Sequence, residues 1–262
     1  TWRRCSKTGH SLRRSIPRTF MPHRFFYDGP FDTDQLLLDG SEAHHLLHVL
    51  RMRTGDTILV FNGTGAEAEG VITNTSRKSV EIRVTAIHAA QASSQRPLIL
   101  ATAVPKGDRF RWLIEKAAEL GVTKLVPLLT ERSSVDPGEN RLKKLQQTIV
   151  SAAKQSGQIQ LMELAEVQKW DEFLSEVSQT ESRLLIADPA GRGLDFLGSD
   201  EKSEVPVVIL IGPEGGFTPE ELQSALEQGA ESVRLSAGIL RIETAAILFA
   251  GLIRLMEPGG EA

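Results

Sequence analysis

Residues 210–222 read LIGPEGGFTPEEL. The apolar run 205–211 leading into them has the unbroken hydrophobicity of a parallel strand buried on both faces. Thr218, Pro219 and Glu221 then mark a helix start: a threonine N-cap, a proline in the first turn and a T-x-x-E capping box. A glycine loop between such a strand and helix commonly cradles a phosphate. This one has neither G-x-G-x-x-G nor a Lys-Ser/Thr ending. Glu214, Glu220 and Glu221 crowd it and no base is near in the sequence, so a phosphate would be repelled. Two readings stay open. One is a neutral or cationic ligand that approaches the backbone closely at Gly212, Gly215 and Gly216. The other is a tight, well-capped turn that holds nothing.

The surrounding chain alternates strand and helix. Strands are predicted at 98–104, 124–129, 183–187 and 205–211. Helices are predicted at 108–120, 141–154, 170–177, 219–228 and 243–256. This alternation argues for a parallel α/β sheet over 97–262. Residues 21–90 read differently. Short strand-like runs at 57–61, 66–73 and 79–87 are separated by turn residues, with one helix at 41–50, a pattern that suits a small β-barrel. The polar segment 91–96 is the predicted linker.

Composition sets outer limits. The chain has 262 residues, 40% hydrophobic and 24% charged, and one cysteine. It therefore has no intrachain disulfide and no thiolate metal cage. Its longest apolar run, 245–253, is far below the ~20 residues of a membrane-spanning helix. The net charge of −4 conceals an uneven distribution. Residues 1–20 hold six basic residues and no acid, so the remainder carries 24 basic against 34 acidic side chains, a charge of −10. Nucleic acid would have to be met by local basic patches. The first twenty residues read as a disordered basic extension. The expected location is cytoplasmic, or an organelle if that extension is a transit peptide.

Three further stretches carry chemistry. Residues 235–246, LSAGILRIETAA, place Arg241 and Glu243 beside the start of a very apolar helix. Charges there should be paired with each other or functional, because an unpaired buried charge is costly. Lys106, Arg109 and Arg111 form a basic cluster with interleaved aromatics at the carboxyl end of a strand. Ligands bind at such ends in open α/β sheets, and a solvated first helical turn is the alternative. In HHLLH, His44 and His48 stand one helical turn apart, but no third ligand stands nearby in the sequence. Contact of this segment and of Arg51 and Arg53 with nucleic acid is the better functional reading.

In order and combination, IGPEGGFTPEE (211–221), LSAGILRIETA (235–245), PKGDRFRWLIEKAAELGV (105–122) and TERSSV (130–135) resemble the small-subunit (16S) ribosomal RNA uridine N3-methyltransferases, a family of the trefoil-knot (SPOUT) class. RFF (24–26), HHLLHVLRMRTGD (44–56) and NGTG (62–65) resemble that family's small β-barrel, which is similar to PUA domains. The resemblance spans residues 22–257. It implies a knotted C-terminal α/β domain with a parallel sheet, an N-terminal PUA-like RNA-binding barrel, a homodimer, and S-adenosyl-L-methionine bound in the knot.

The resemblance also implies roles. The cofactor would lie among Thr130, Ile211, Gly212, Glu214, Gly215 and Gly216 on one side. Leu235, Ile239, Leu240 and Thr244 would close the other. Arg241 would stabilise charge on the target uridine, with Glu243 as its partner. Ribosomal RNA, within the 30S subunit, would meet Arg24, His45, Arg51, Arg53, Lys106, Arg109 and Arg132. No metal and no membrane are implied. The chain departs from the family at Ser236, Gly238, Gln158 and Ile242; the departures at Gly238 and Gln158 remove two arginines. A non-catalytic ribosome-assembly factor with a vestigial cofactor pocket is the alternative. A nicotinamide oxidoreductase would need an open glycine-rich helix start near 104–107, which the chain lacks.

Overall fold

The computed structural model describes residues 23–89, 95–194 and 205–256. The basic extension 1–20 and most of the predicted linker lie outside these.

Two sheets organise the chain. The first joins β1 (Arg24–Phe26), β2 (Gln35–Leu38), β3 (Thr57–Phe61), β4 (Ala66–Thr75) and β5 (Val80–Ala89) in the order β1-β3-β4-β5-β2. Alternation builds its core: in β2, Leu36 and Leu38 are buried while Gln35 and Leu37 are exposed. Phe25, Ile58, Val60, Ile72 and Ile82 complete the interior. β1 and β2 were not expected from the sequence. Each is four residues or fewer, too short to display a period.

The predicted helix at 41–50 divides into two parts. α1 (Gly40–His44) is followed by a π-helical turn, His45–Val49, and Arg51 then adopts a left-handed φ of 55°. The wider turn keeps Leu46 in the core, and the rings of His44 and His48 pack against each other on the outside, centroids 4.8 Å apart.

The second sheet runs β12-β10-β11-β6-β7-β8, entirely parallel. Its strands are β6 (Leu98–Ala103), β7 (Lys124–Leu129), β8 (Glu163–Leu164), β10 (Arg183–Arg192), β11 (Val207–Ile211) and β12 (Glu231–Val233). β9 (Gln168–Lys169) also pairs with β7. β11 is buried along its whole length, as its apolar run requires. Val207, Ile209 and Ile211 face one side, under α2 (Arg109–Glu119), α3 (Glu139–Ser156) and α6 (Ile242–Met256). Val208 and Leu210 face the other, under α4 (Trp170–Val177) and α5 (Pro219–Glu227). Both faces of a parallel sheet are thereby covered.

The two sheets are joined by backbone and by charge. Gly65 donates to the Ile159 carbonyl and Leu161 to the Gly63 carbonyl. Gly63 has φ +77°, and a Cβ there would stand 2.8 Å from Leu161, so only glycine fits this seam. Arg24 pairs with Glu67 at 2.7 Å, lies over the Phe61 ring and donates to the Gln158 carbonyl. Its side chain is 11% exposed, which corrects its expected place among the RNA contacts: Arg24 is spent on the seam. Glu42 accepts from the Phe26 amide at 3.0 Å and from Lys154 at 2.8 Å. Glu42→Ala leaves both donors unpaired in a half-buried place, and a loss of about 1–3 kcal/mol is expected in urea unfolding. Glu42→Gln keeps the amide bond and should lose less; equal losses would contradict this assignment.

Candidate functional site

The carboxyl ends of β11 and β12 lie beside the middle of β10, and the loops leaving them, together with residues 187–189 of β10, line a cavity of about 270 Å³. The glycine loop, residues 212–217, forms one wall. Residues 235–242 form another, and Ala187, Asp188 and Pro189 close the end. Apolar lining from Phe217, Leu222, Val233, Leu240 and Ile242 alternates with backbone groups of the glycine loop. Such a lining suits a flat aromatic ring with polar edges.

The helix start beyond the glycine loop is sealed. Thr218 Oγ1 accepts from the Glu221 amide at 3.1 Å, and Glu221 Oε2 accepts from the Thr218 amide at 2.9 Å. Glu221 is buried, and its second oxygen accepts from the Glu131 amide at 2.8 Å. This one carboxylate caps α5 and also ties down the loop after β7. The N-terminus of α5 is thereby closed to an anion.

The expectation that no base approaches the glycine loop is overturned. Arg132 Nη1 donates to the Gly215 carbonyl at 2.8 Å and the Phe217 carbonyl at 3.3 Å. Arg109 reaches Glu214 at 3.4 Å. Both arginines come from distant sequence, which a reading of the local stretch could not bring in. The phosphate argument still holds, because the carboxylates and the closed cap remain.

Eight of the ten residues expected around a cofactor line the cavity: Ile211, Gly212, Glu214, Gly215, Gly216, Leu235, Ile239 and Leu240. Two lie outside its lining. Thr130 is buried beside Ser133, its Oγ1 3.0 Å from the Ser133 hydroxyl. Thr244 faces outward on α6. Asp188 was missed. It stands just past the last β10–β11 pair, Ile186–Leu210, and accepts from Ser232 at 2.8 Å. The rule that ligands gather at carboxyl ends of parallel strands would have found it.

A second, more open groove of about 620 Å³ adjoins the cavity and shares Glu214 and Gly215 with it. Lys106, Arg109, Arg132 and Arg241 surround it. Arg241 is exposed, and its side chain makes no hydrogen bond or ion pair among the described residues. Glu243 is 7% exposed, and its partner is Arg109 Nη1, 3.4 Å away. The expected Arg241–Glu243 pair is thus replaced by Arg109–Glu243: Glu243 is buried in the first turn of α6, while Arg241 just before it is exposed.

On the β-barrel side, Arg51 and Arg53 are exposed, whereas His45 is half-buried with its ring edge-on to Phe25 at 6.2 Å. Burial, and then the nearby Lys154 ammonium, hold its pKa below the ordinary histidine value. His45 thus packs partly against the barrel core at the start of the π-helical turn. Among the described residues no group of three or more His, Cys, Asp or Glu is gathered as metal ligands, and no helix is long and apolar enough to cross a membrane.

The sequence departures divide by place. Gln158 lies at the seam between the sheets, its side chain beside Gly121 and away from the basic groove. Gly238 lines the cavity, with Ser236 closing a small turn onto its carbonyl. Among the described residues lining the cavity there is no lysine or arginine.

Comparison with known proteins accords with this geometry. Residues 92–254 match the RNA methyltransferase domain family, and residues 38–85 the RNA methyltransferase PUA domain family. Ribosomal RNA small subunit methyltransferase E of Synechocystis sp. is 32% identical over 84% of this chain and 73% of its own. The enzyme of that name from Neisseria gonorrhoeae, solved bound to S-adenosyl methionine, superposes with a TM-score of 0.80 at 27% identity, covering 90% of this chain and 98% of that one. A Legionella pneumophila protein solved with the bound cofactor SAM gives a TM-score of 0.80 at 29% identity, with the same coverage.

Proposed function

The chain belongs to the RNA methyltransferase family that includes ribosomal RNA small subunit methyltransferase E, and from that premise we propose that it transfers a methyl group from S-adenosyl-L-methionine to N3 of a uridine in small-subunit ribosomal RNA. Its fold class is the one shared with those relatives, a SPOUT-type α/β domain with a PUA-like barrel. The observation that carries the reading is the shared wall: Glu214 and Gly215 belong both to the apolar cavity and to the basic groove. A donor in the first would stand beside an acceptor in the second.

The cavity fits this cofactor on its own chemistry. The capped α5 and the acidic glycine loop favour a ligand free of phosphate. Leu240, Ile242 and Phe217 offer apolar surface to an adenine, and Glu214 offers a carboxylate to a cationic group. When bound, the cofactor supplies an electrophilic methyl on a sulfonium centre. The chain's own residues do the rest. N3 of uridine must lose its proton, to water in the open groove, and the resulting charge spreads to the flanking carbonyl oxygens until the methyl takes the proton's place. Arg241, unpaired and aimed from the groove wall, stabilises that charge. Lys106 and Arg132 meet the RNA backbone at the groove edge, and Arg51 and Arg53 extend the contact along the barrel.

We also propose a homodimer acting on the assembled 30S subunit, in the cytoplasm or the compartment where that subunit is made. Leu248 and Leu255 stand two turns apart on the outer face of α6, the latter 84% exposed. Trp112 on α2 and Ile239 at the cavity rim, 87% exposed, are further exposed apolar groups. A second copy covering Ile239 would also shelter the cavity mouth.

Incubation with 30S subunits and isotopically labelled S-adenosyl-L-methionine tests the reading. Label in RNA, recovered as N3-methyluridine, is expected. Cofactor binding with no label in any small-subunit RNA would favour a non-catalytic assembly factor.

A further inference from the structure

Arg109 was expected to touch RNA, and its surroundings point elsewhere. Each of its three guanidinium nitrogens has a partner. Nε donates to the Lys106 carbonyl at 3.2 Å, Nη1 pairs with Glu243 at 3.4 Å, and Nη2 pairs with Glu214 at 3.4 Å. The two carboxylates come from different segments. Glu214 belongs to the glycine loop, and Glu243 to the first turn of α6, directly after the loop that carries Leu240 and Arg241. These segments form opposing walls of the cavity.

We propose that Arg109 is a positioning residue, a clasp that sets the separation of the two cofactor-binding walls and leaves Arg241 as the uncompensated cation of the groove. This rests on reading the cavity as the S-adenosyl-L-methionine site. Three features support it. Glu243 is buried, so it requires a compensating charge, and Arg109 is the cation within reach. A guanidinium already facing two carboxylates has little net charge left for a phosphate. Its planar fork also serves two acceptors at fixed spacing, which an ammonium cannot do. Arg132 differs. It grips the same loop through the Gly215 and Phe217 carbonyls, which leave its charge uncompensated and available to RNA.

Four variants of the full chain separate a clasp from an RNA contact and from a merely structural pair. These are Arg109→Gln, Arg109→Lys, the double variant Arg109→Gln/Glu243→Gln, and Lys106→Ala as the reference for phosphate contact. Cofactor affinity is read by calorimetry, RNA binding by its salt dependence, and folding by thermal midpoint. Arg109→Gln is expected to weaken cofactor binding about tenfold and leave the salt slope of RNA binding at the parent value. Lys106→Ala should lower that slope by about one and leave cofactor binding unchanged.

The double variant removes the unpaired buried carboxylate. It should recover the parent melting temperature without recovering cofactor affinity, since the tie to Glu214 is still broken. Arg109→Lys should keep the fold and lose part of the affinity. A salt slope lowered by one in Arg109→Gln, with unchanged cofactor affinity, would overturn the clasp in favour of an RNA contact. Full recovery of affinity in the double variant would overturn it in favour of charge neutralisation alone. Failure of the parent protein to bind the cofactor would count against the proposed function and is seen before any variant is compared.

Discussion

Arg241→Ala is expected to lower kcat by about 10²–10³-fold, the range observed when one donor that stabilises a developing anion is removed. The expectation follows from where the side chain sits. Arg241 is exposed in the groove and free of intramolecular partners among the described residues, so its loss breaks nothing in the fold. Thermal midpoint and cofactor affinity should stay at parent values, and the KM for 30S subunits should change little beside kcat. Arg241→Lys keeps a charge but loses the planar fork, and should recover only part of the rate. A variant with parent kcat would remove Arg241 from the chemistry.

Gly212→Leu should abolish measurable cofactor binding, a loss of more than about 100-fold or about 2.8 kcal/mol. Even a Cβ at this position would stand 3.0 Å from the Phe217 ring, which itself lines the cavity. A larger side chain must either push Phe217 into the cavity or occupy the space itself. Gly212→Ala should show a smaller loss of the same kind. The neighbouring Gly215 is a weaker choice, because its nearest obstacle is the flexible Arg132 side chain at 3.3 Å. Calorimetry on a variant whose thermal midpoint shows it folded decides the matter. Parent affinity in folded Gly212→Leu would mean that the cavity is not the cofactor site.

Local chemistry made much of this legible. The capping box at Thr218–Glu221 forms as its residue types require, and the apolar run through Ile211 is a strand buried on both faces. α4 matches its predicted limits at Trp170–Val177 because Trp170, Phe173, Leu174 and Val177 hold one clean face. Elements of two to four residues, such as β1, β8 and β12, were not legible. Their stability comes from the neighbouring strand and leaves no period in the sequence.

The same limit applies to the site. Glycines and apolar residues of the cavity were found through motif spacing, because each loop is contiguous. Charge pairing was not, because it joins residues far apart. Arg109 and Glu243 are separated by 134 positions, Glu131 and Glu221 by 90. Sequence proximity suggested an Arg241–Glu243 pair, and the fold brings Glu243 to a different arginine, Arg109. Arg24 and His45 were assigned to RNA on residue type and motif position. Burial over Phe61 and beside Glu67 gave Arg24 to packing instead, and His45 packs partly against Phe25.

Nucleoside mass spectrometry tests the central claim most directly. Small-subunit RNA from cells lacking the gene should lose one N3-methyluridine, and expression of the intact chain should restore it while the Arg241→Ala chain should not. An unchanged N3-methyluridine content after deletion would contradict the account.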